Sequence, residues 1–69
     1  MPPTRQAYQI RWEDGTLRTV QAHSVRGAAV LFVGTYAAPV GSRFAVKPRG
    51  SGDWQWFSRT REGVRALRS

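Results

Sequence analysis

Between Tyr8 and Ala22 the sequence carries a β-hairpin signal that restricts the fold more than any other stretch. Tyr8, Ile10 and Trp12 alternate with Gln9 and Arg11, the period of two expected of a half-buried strand. Glu13-Asp14-Gly15 interrupts the alternation, and Asp-Gly between two such runs favours a tight reversal. A second strand then runs from about Thr16 to Ala22. Two registers compete for it. A two-residue Asp-Gly turn sets Leu17 beside Trp12, whereas a turn with a glycine bulge sets Thr16 there and directs Val20 and Ala22 to the core. The bulge is preferred, because Val20 and Ala22 lead directly into the next element.

That element reads as a helix. Ser24 is placed to cap it, its hydroxyl accepting from a free amide of the first turn. Val25, Ala28, Ala29, Phe32 and Tyr36 fall at helical spacing on one face. Gly27 and Gly34 weaken a helix, and Val30 to Val33 has strand-like composition, but the spacing decides for a helix. It should end near Ala37, since Pro39 disfavours helical geometry at Ala38. After the connector Pro39-Val40-Gly41-Ser42, a third strand covers Arg43 to Lys47, with Phe44 and Val46 on one face. Pro48 to Asp53 is loop by composition, and Trp54 to Arg59 makes a fourth strand. Thr60 is expected to cap a short final turn of helix carrying Val64 and Leu67. The expected fold is a single small α+β domain over residues 7–69, ββαββ in order. Its antiparallel sheet packs on one helix and a short C-terminal helical tail follows. Residues 1–6 are expected to form a flexible arm, with Pro2 and Pro3 resisting regular structure and Arg5 free for a partner.

A chain of 69 residues has room for one modest core. A hydrophobic share of 41% and three tryptophans argue for a folded chain over a disordered one. With no cysteine, disulfides, thiolate catalysis and Cys-based zinc sites are excluded together, and the lone His23 cannot build a metal site. No cofactor is expected. His23 and Ser24 are the only adjacent imidazole and hydroxyl, and Ser24 is better used as a cap. Glu13 and Asp14 are accounted for by turn chemistry. Gly50-Ser51-Gly52 lacks the strand-before, helix-after context of a phosphate loop. The sequence therefore reads as a binding protein and not an enzyme.

Charge suggests the partner. Eleven Lys plus Arg against four Asp plus Glu give a formal charge of +7 and a pI near 11.6, which favours polyanions. Arg59, Arg61, Arg65 and Arg68 crowd the last residues, and Arg61, Arg65 and Arg68 share a face if that segment is helical. Arg43, Lys47 and Arg49 form a second group on the third strand and its loop. Both groups are candidates for phosphate contacts with DNA or RNA; the competing explanation for the tail is a solvated end that keeps the protein soluble. Trp54 and Trp56 share a strand face and are expected against the helix. Phe57, on the other face, is the preferred ring for stacking on a base, with a tryptophan as the alternative, since rings on both faces of one strand leave at least one partly exposed. Val30 and Leu31 lie off the buried helix face, which allows a homodimer through the helix or docking on another protein. The start of the chain lacks the apolar run of a secretory signal. The longest apolar stretch, Ala28 to Val33, falls short of the about 20 residues of a membrane span, so no membrane partner and a cytoplasmic location are the default expectations.

The layout of hairpin, helix and second hairpin resembles small phage and mobile-element proteins of ββαββ type, some anti-CRISPR proteins among them. The residues carrying the resemblance are Tyr8-x-Ile10, Asp14-Gly15-Thr16, Ala22-x-Ser24, Ala28-Ala29 and Trp56 late in the last strand. The resemblance implies mobile-element origin and inhibition by binding a protein or nucleoprotein complex. It assigns no functional residue.

Overall fold

The hairpin forms in the bulged register. In the computed structural model, which describes residues 5–50 and 52–67, β1 (Gln6–Trp12) pairs antiparallel with β2 (Leu17–Ala22). The Trp12 amide donates to the Thr16 carbonyl at 2.8 Å, and the Gly15 amide to the Trp12 carbonyl at 2.9 Å. Gly15 sits at φ +93°, a conformation that side chains resist. The Asp14 carboxylate accepts from the Thr16 amide at 2.8 Å, and that bond holds its pKa below the usual carboxylate value. Its contribution is therefore present above the unfolded pKa and lost as pH falls through the lowered folded value. Tyr8 lies opposite Val20 and Gln6 opposite Ala22, so Val20 and Ala22 share the face of Tyr8, Ile10 and Trp12. Gln6 is thus a strand residue and not part of a loose arm; residues 1–4 of that expected arm lie outside the described residues.

Ser24 caps the helix α1 (Val25–Tyr36), accepting from the Gly27 amide at 2.9 Å. The helix closes on Ala37 at φ 51°, a left-handed position that a residue with a Cβ occupies at a cost. β3 (Arg43–Pro48) and β4 (Gln55–Thr60) follow, then β5 (Gly63–Ala66). The strands form one antiparallel sheet in the order β2-β1-β3-β4-β5. Because β2 and β3 both oppose β1, they run parallel to each other with β1 between them, and α1 is the crossover that joins them.

The C-terminal segment is a strand, not the helical tail expected from Val64 and Leu67. β4 turns through Arg61 and Glu62 into β5, with Thr60 opposite Gly63 and Arg59 opposite Val64. Gly63, at φ +147°, supplies a conformation open essentially to glycine alone. Two physical causes decide this. So short a helix cannot nucleate in water, whereas a strand here pairs the free edge of β4 and brings Val64 into the core.

The core lies between α1 and one face of the sheet. Tyr8, Ile10, Ala22, Phe44, Val46, Phe57 and Val64 meet Ala28, Ala29 and Phe32 of α1, with Trp12, Val20, Val25 and Val33 partly buried against them. The Phe32 ring is the centre, with centroids of Trp12 at 5.1 Å, Tyr36 at 5.3 Å and Phe44 at 4.8 Å. Phe44 stacks in turn on Phe57 at 6.0 Å.

Backbone substitutions should separate in sign. Gly15→Ala should cost about 1–2 kcal/mol of unfolding free energy, and Ala37→Gly should gain about 1 kcal/mol. Urea midpoints at unchanged slope would report both, and a neutral Gly15→Ala would contradict the bulged turn. Phe32→Ala should cost about 3–5 kcal/mol, a large share of what so small a domain possesses; a loss below ~1 kcal/mol would remove Phe32 from the centre of the core.

Candidate nucleic-acid interface

One helix covers one face of the sheet, and among the described residues no element covers the opposite face. Cross-strand partners project to the same side, so the register assigns each strand residue to a face. The open face carries Leu17, Thr19 and Gln21 from β2, and Ala7, Gln9 and Arg11 from β1. From β3 it carries Arg43, Ala45 and Lys47, which oppose β1 and β4. Trp56 and Ser58 of β4 and Arg65 of β5 complete it. Two residues extend this register beyond the strands. The Arg49 amide donates to the Ala7 carbonyl at 3.0 Å, placing Arg49 opposite Ala7. Trp54 precedes β4 at the position facing Lys47, whose Nζ lies 5.0 Å from its ring centroid, a cation–π contact.

Transverse rows result. Arg43, Ser58 and Arg65 form one, and Leu17, Arg11, Ala45 and Trp56 another. Arg11, Arg43, Arg49 and Arg65 are exposed and Lys47 is half-buried. All four acids lie in connections: Glu13 and Asp14 between β1 and β2, Asp53 before β4, and Glu62 between β4 and β5. No strand holds a carboxylate.

The structure divides the residues singled out in the sequence. Arg43, Lys47, Arg49 and Arg65 come together on the open face. Phe57 is 2% exposed and packs in the core, so it presents no stacking surface; Trp54 and Trp56 take the open face instead, the reverse of the sequence expectation. The pairing of Phe57 with Phe44 fixes this, since Phe44 already faces the helix. Arg59 projects to the helix side opposite Val64, half-buried, and its Nη1 donates to the Gly63 carbonyl at 3.2 Å. It braces the β4–β5 turn. Arg61 is exposed in that turn, and Arg68 lies outside the described residues, so the expected helical stripe of Arg61, Arg65 and Arg68 does not exist over the described part.

Sequence reasoning missed Arg11 as a surface group and ranked Phe57 above the tryptophans for the exposed ring. Arg11 was already legible as the residue opposite in facing to Ile10 and Trp12, but its proximity to β3 depends on β1 being flanked on both sides.

Elsewhere, Ser24 Oγ is engaged by the Gly27 amide, and His23 is exposed. No group of three His, Cys, Asp or Glu side chains able to hold a metal occurs among the described residues. No described helix is long and apolar enough to cross a membrane. A groove runs between α1 and the β2 edge, with Val20, Ala22, Val30 and Leu31 along it and Arg5 and Arg26 at its rim. No protein-family model, curated protein or solved structure matches the chain.

The division of the arginines is testable without a ligand. Arg59→Ala should lower stability by about 1–2 kcal/mol through the lost hydrogen bond and stem packing. Arg65→Ala and Arg43→Ala should stay within about 0.5 kcal/mol of the parent. Equal losses at all three positions would refute the assignment.

Proposed function

We propose that this domain is a nucleic-acid-binding module that acts by binding and not by catalysis, with the open face of the sheet as its contact surface. The observation that carries this reading is the segregation of charge. Arg11, Arg43, Lys47, Arg49 and Arg65 fall on one face, and every acidic side chain falls in a connection between strands. A face of one sign attracts a polyanion and neutralises its phosphates, with release of counterions. Arginine's planar fork matches phosphate oxygens in pairs. Such contacts read the backbone, so affinity is salt-dependent and largely independent of sequence.

A second reading is supported by a different observation. Val30 and Leu31 stand 51% and 47% exposed beside the β2 edge, an apolar strip that nucleic acid does not need. It suits an inhibitor of anti-CRISPR or host-takeover type that docks on a protein or ribonucleoprotein complex. Capture of a protein partner from nuclease-treated lysate, lost in Leu31→Glu but not in Arg43→Ala, would favour this reading over the first.

The first reading is tested by binding to a mixed-sequence oligonucleotide across a salt series. Binding should weaken linearly in log–log form. Each phosphate contact removed among Arg11, Arg43, Lys47 and Arg65 by alanine should flatten the slope by about 0.7–0.9. A slope unchanged in the fourfold variant would eliminate the open face as the contact surface.

A further inference from the structure

We infer that the open face selects unpaired strands, with Trp56 as the platform on which a base stacks; this rests on the reading of that face as the nucleic-acid surface. Trp56 sits well inside the sheet, on β4 between β3 and β5, and is 40% exposed. An indole left open to water at that position gives up apolar burial among the cationic and polar side chains of β3, β4 and β5.

The burial of Ala45 bears on how the ring lies. It projects to the open face, where no helix covers it, yet it is 0% exposed. Its cover must come from the longer side chains around it: Arg11 and Trp56 across the strands, Arg43 and Lys47 along β3. Of these four only Trp56 carries a ring, and we take it to lie over Ala45; a ring so laid offers its outer face, the geometry that base stacking uses. Trp54, by contrast, already has the Lys47 ammonium against its ring, which leaves Trp56 as the free platform.

The width of the sheet excludes the alternative way of meeting a duplex. Five strands span about 19 Å at the usual inter-strand spacing. The major groove is about 12 Å wide and admits a two-stranded ribbon. This face cannot enter it, so an undistorted duplex offers the sheet chiefly its phosphates, its base faces being stacked on one another. An unpaired strand offers both phosphates and ring faces. On the open face Arg43 and Lys47 of β3 stand four residues apart, about 13 Å, with Ala45 between them, and Arg49 follows two residues beyond Lys47, so the three basic side chains can follow an extended backbone beside the Trp56 ring. The ligand class is single-stranded DNA or RNA, bound with little dependence on base identity.

The test uses the full chain with four probes: oligothymidylate, oligouridylate, a blunt DNA duplex and heparin, a polyanion without bases. The two oligonucleotides should outcompete the duplex, and their relative affinities distinguish DNA from RNA as the preferred strand. The Trp56 indole N–H resonance should shift on binding either oligonucleotide and stay in place with heparin. Trp56→Ala should weaken the better oligonucleotide about 5- to 150-fold and leave heparin binding unchanged, while Trp56→Phe should restore most of the loss. A duplex bound as tightly as oligothymidylate, with the indole resonance unmoved, would overturn the single-strand inference and leave the phosphate-binding face standing. Equal loss of heparin and oligonucleotide in Trp56→Ala would also overturn it. Failure to bind any of the nucleic acids at low salt would remove both.

Discussion

Phe32 joins the two layers of this domain, and the shape of everything else follows from how little helix there is to join. Its ring touches Trp12, Tyr36 and Phe44 within 5.3 Å, and Ala28 and Ala29 beside it are fully buried. Small residues on either side of one large ring let α1 sit close to the sheet. Yet α1 has 12 residues, about 18 Å of helix, and there is no second helix among the described residues to lie on the other face. A sheet covered on one side must present side chains that tolerate water on the other. That requirement could be met by mixed charges or by threonine and glutamine. It is met here by Thr19, Gln21 and Gln9 on the β2 and β1 side and by arginine, lysine and tryptophan towards β3, β4 and β5, and the latter group is what gives the face a chemistry.

The hairpin and helix were legible in the sequence because each is specified locally. Asp14 and Gly15 set the turn, Ser24 sets the helix start, and Pro39 limits the helix end; each acts within a few residues of itself. The facing of β4 was not legible for the opposite reason. Gln55-Trp56-Phe57-Ser58 has large rings on both sides, so alternation alone leaves two equivalent solutions, and hydrophobicity favours burying the tryptophan pair. The tie is broken by Phe44, which is distant in sequence and already committed to Phe32. The C-terminal error has a similar origin. Val64 and Leu67 satisfy a helical interval, but Val64, Arg65 and Ala66 also alternate, and the unpaired edge of β4 decides between them.

Arginine in this chain does structural and surface work at different positions. Arg59 turns inward and donates to the Gly63 carbonyl, and the guanidinium of Arg18 lies 5.6 Å from the Tyr36 ring centroid, covering the end of the helix. Neither is free to serve a partner without loosening the fold. A sum over the sequence therefore overstates the charge available for binding, and a cluster of arginines in sequence is a poor guide to a cluster in space. Arg11 and Arg65 are far apart along the chain and lie on the same face, whereas Arg59 and Arg65 are close along the chain and lie on opposite faces.

The same surplus charge also bears on the edges of the sheet. The Trp12 amide donates to the Thr16 carbonyl, so by the alternation of an antiparallel ladder Leu17, Thr19 and Gln21 direct their amides and carbonyls away from β1. With β2 at the end of the sheet, those groups form a ready template for another strand. No proline or bulge interrupts β2, and Arg18 is its only charged residue. What opposes association at this edge is the repulsion between two copies that each carry a formal charge of +7. That protection is electrostatic and weakens with salt, and a bound polyanion would cancel part of it. The surplus charge on which the proposed function rests would thus also hold this edge apart from other copies of the chain, and a polyanion bound to the open face would weaken that repulsion.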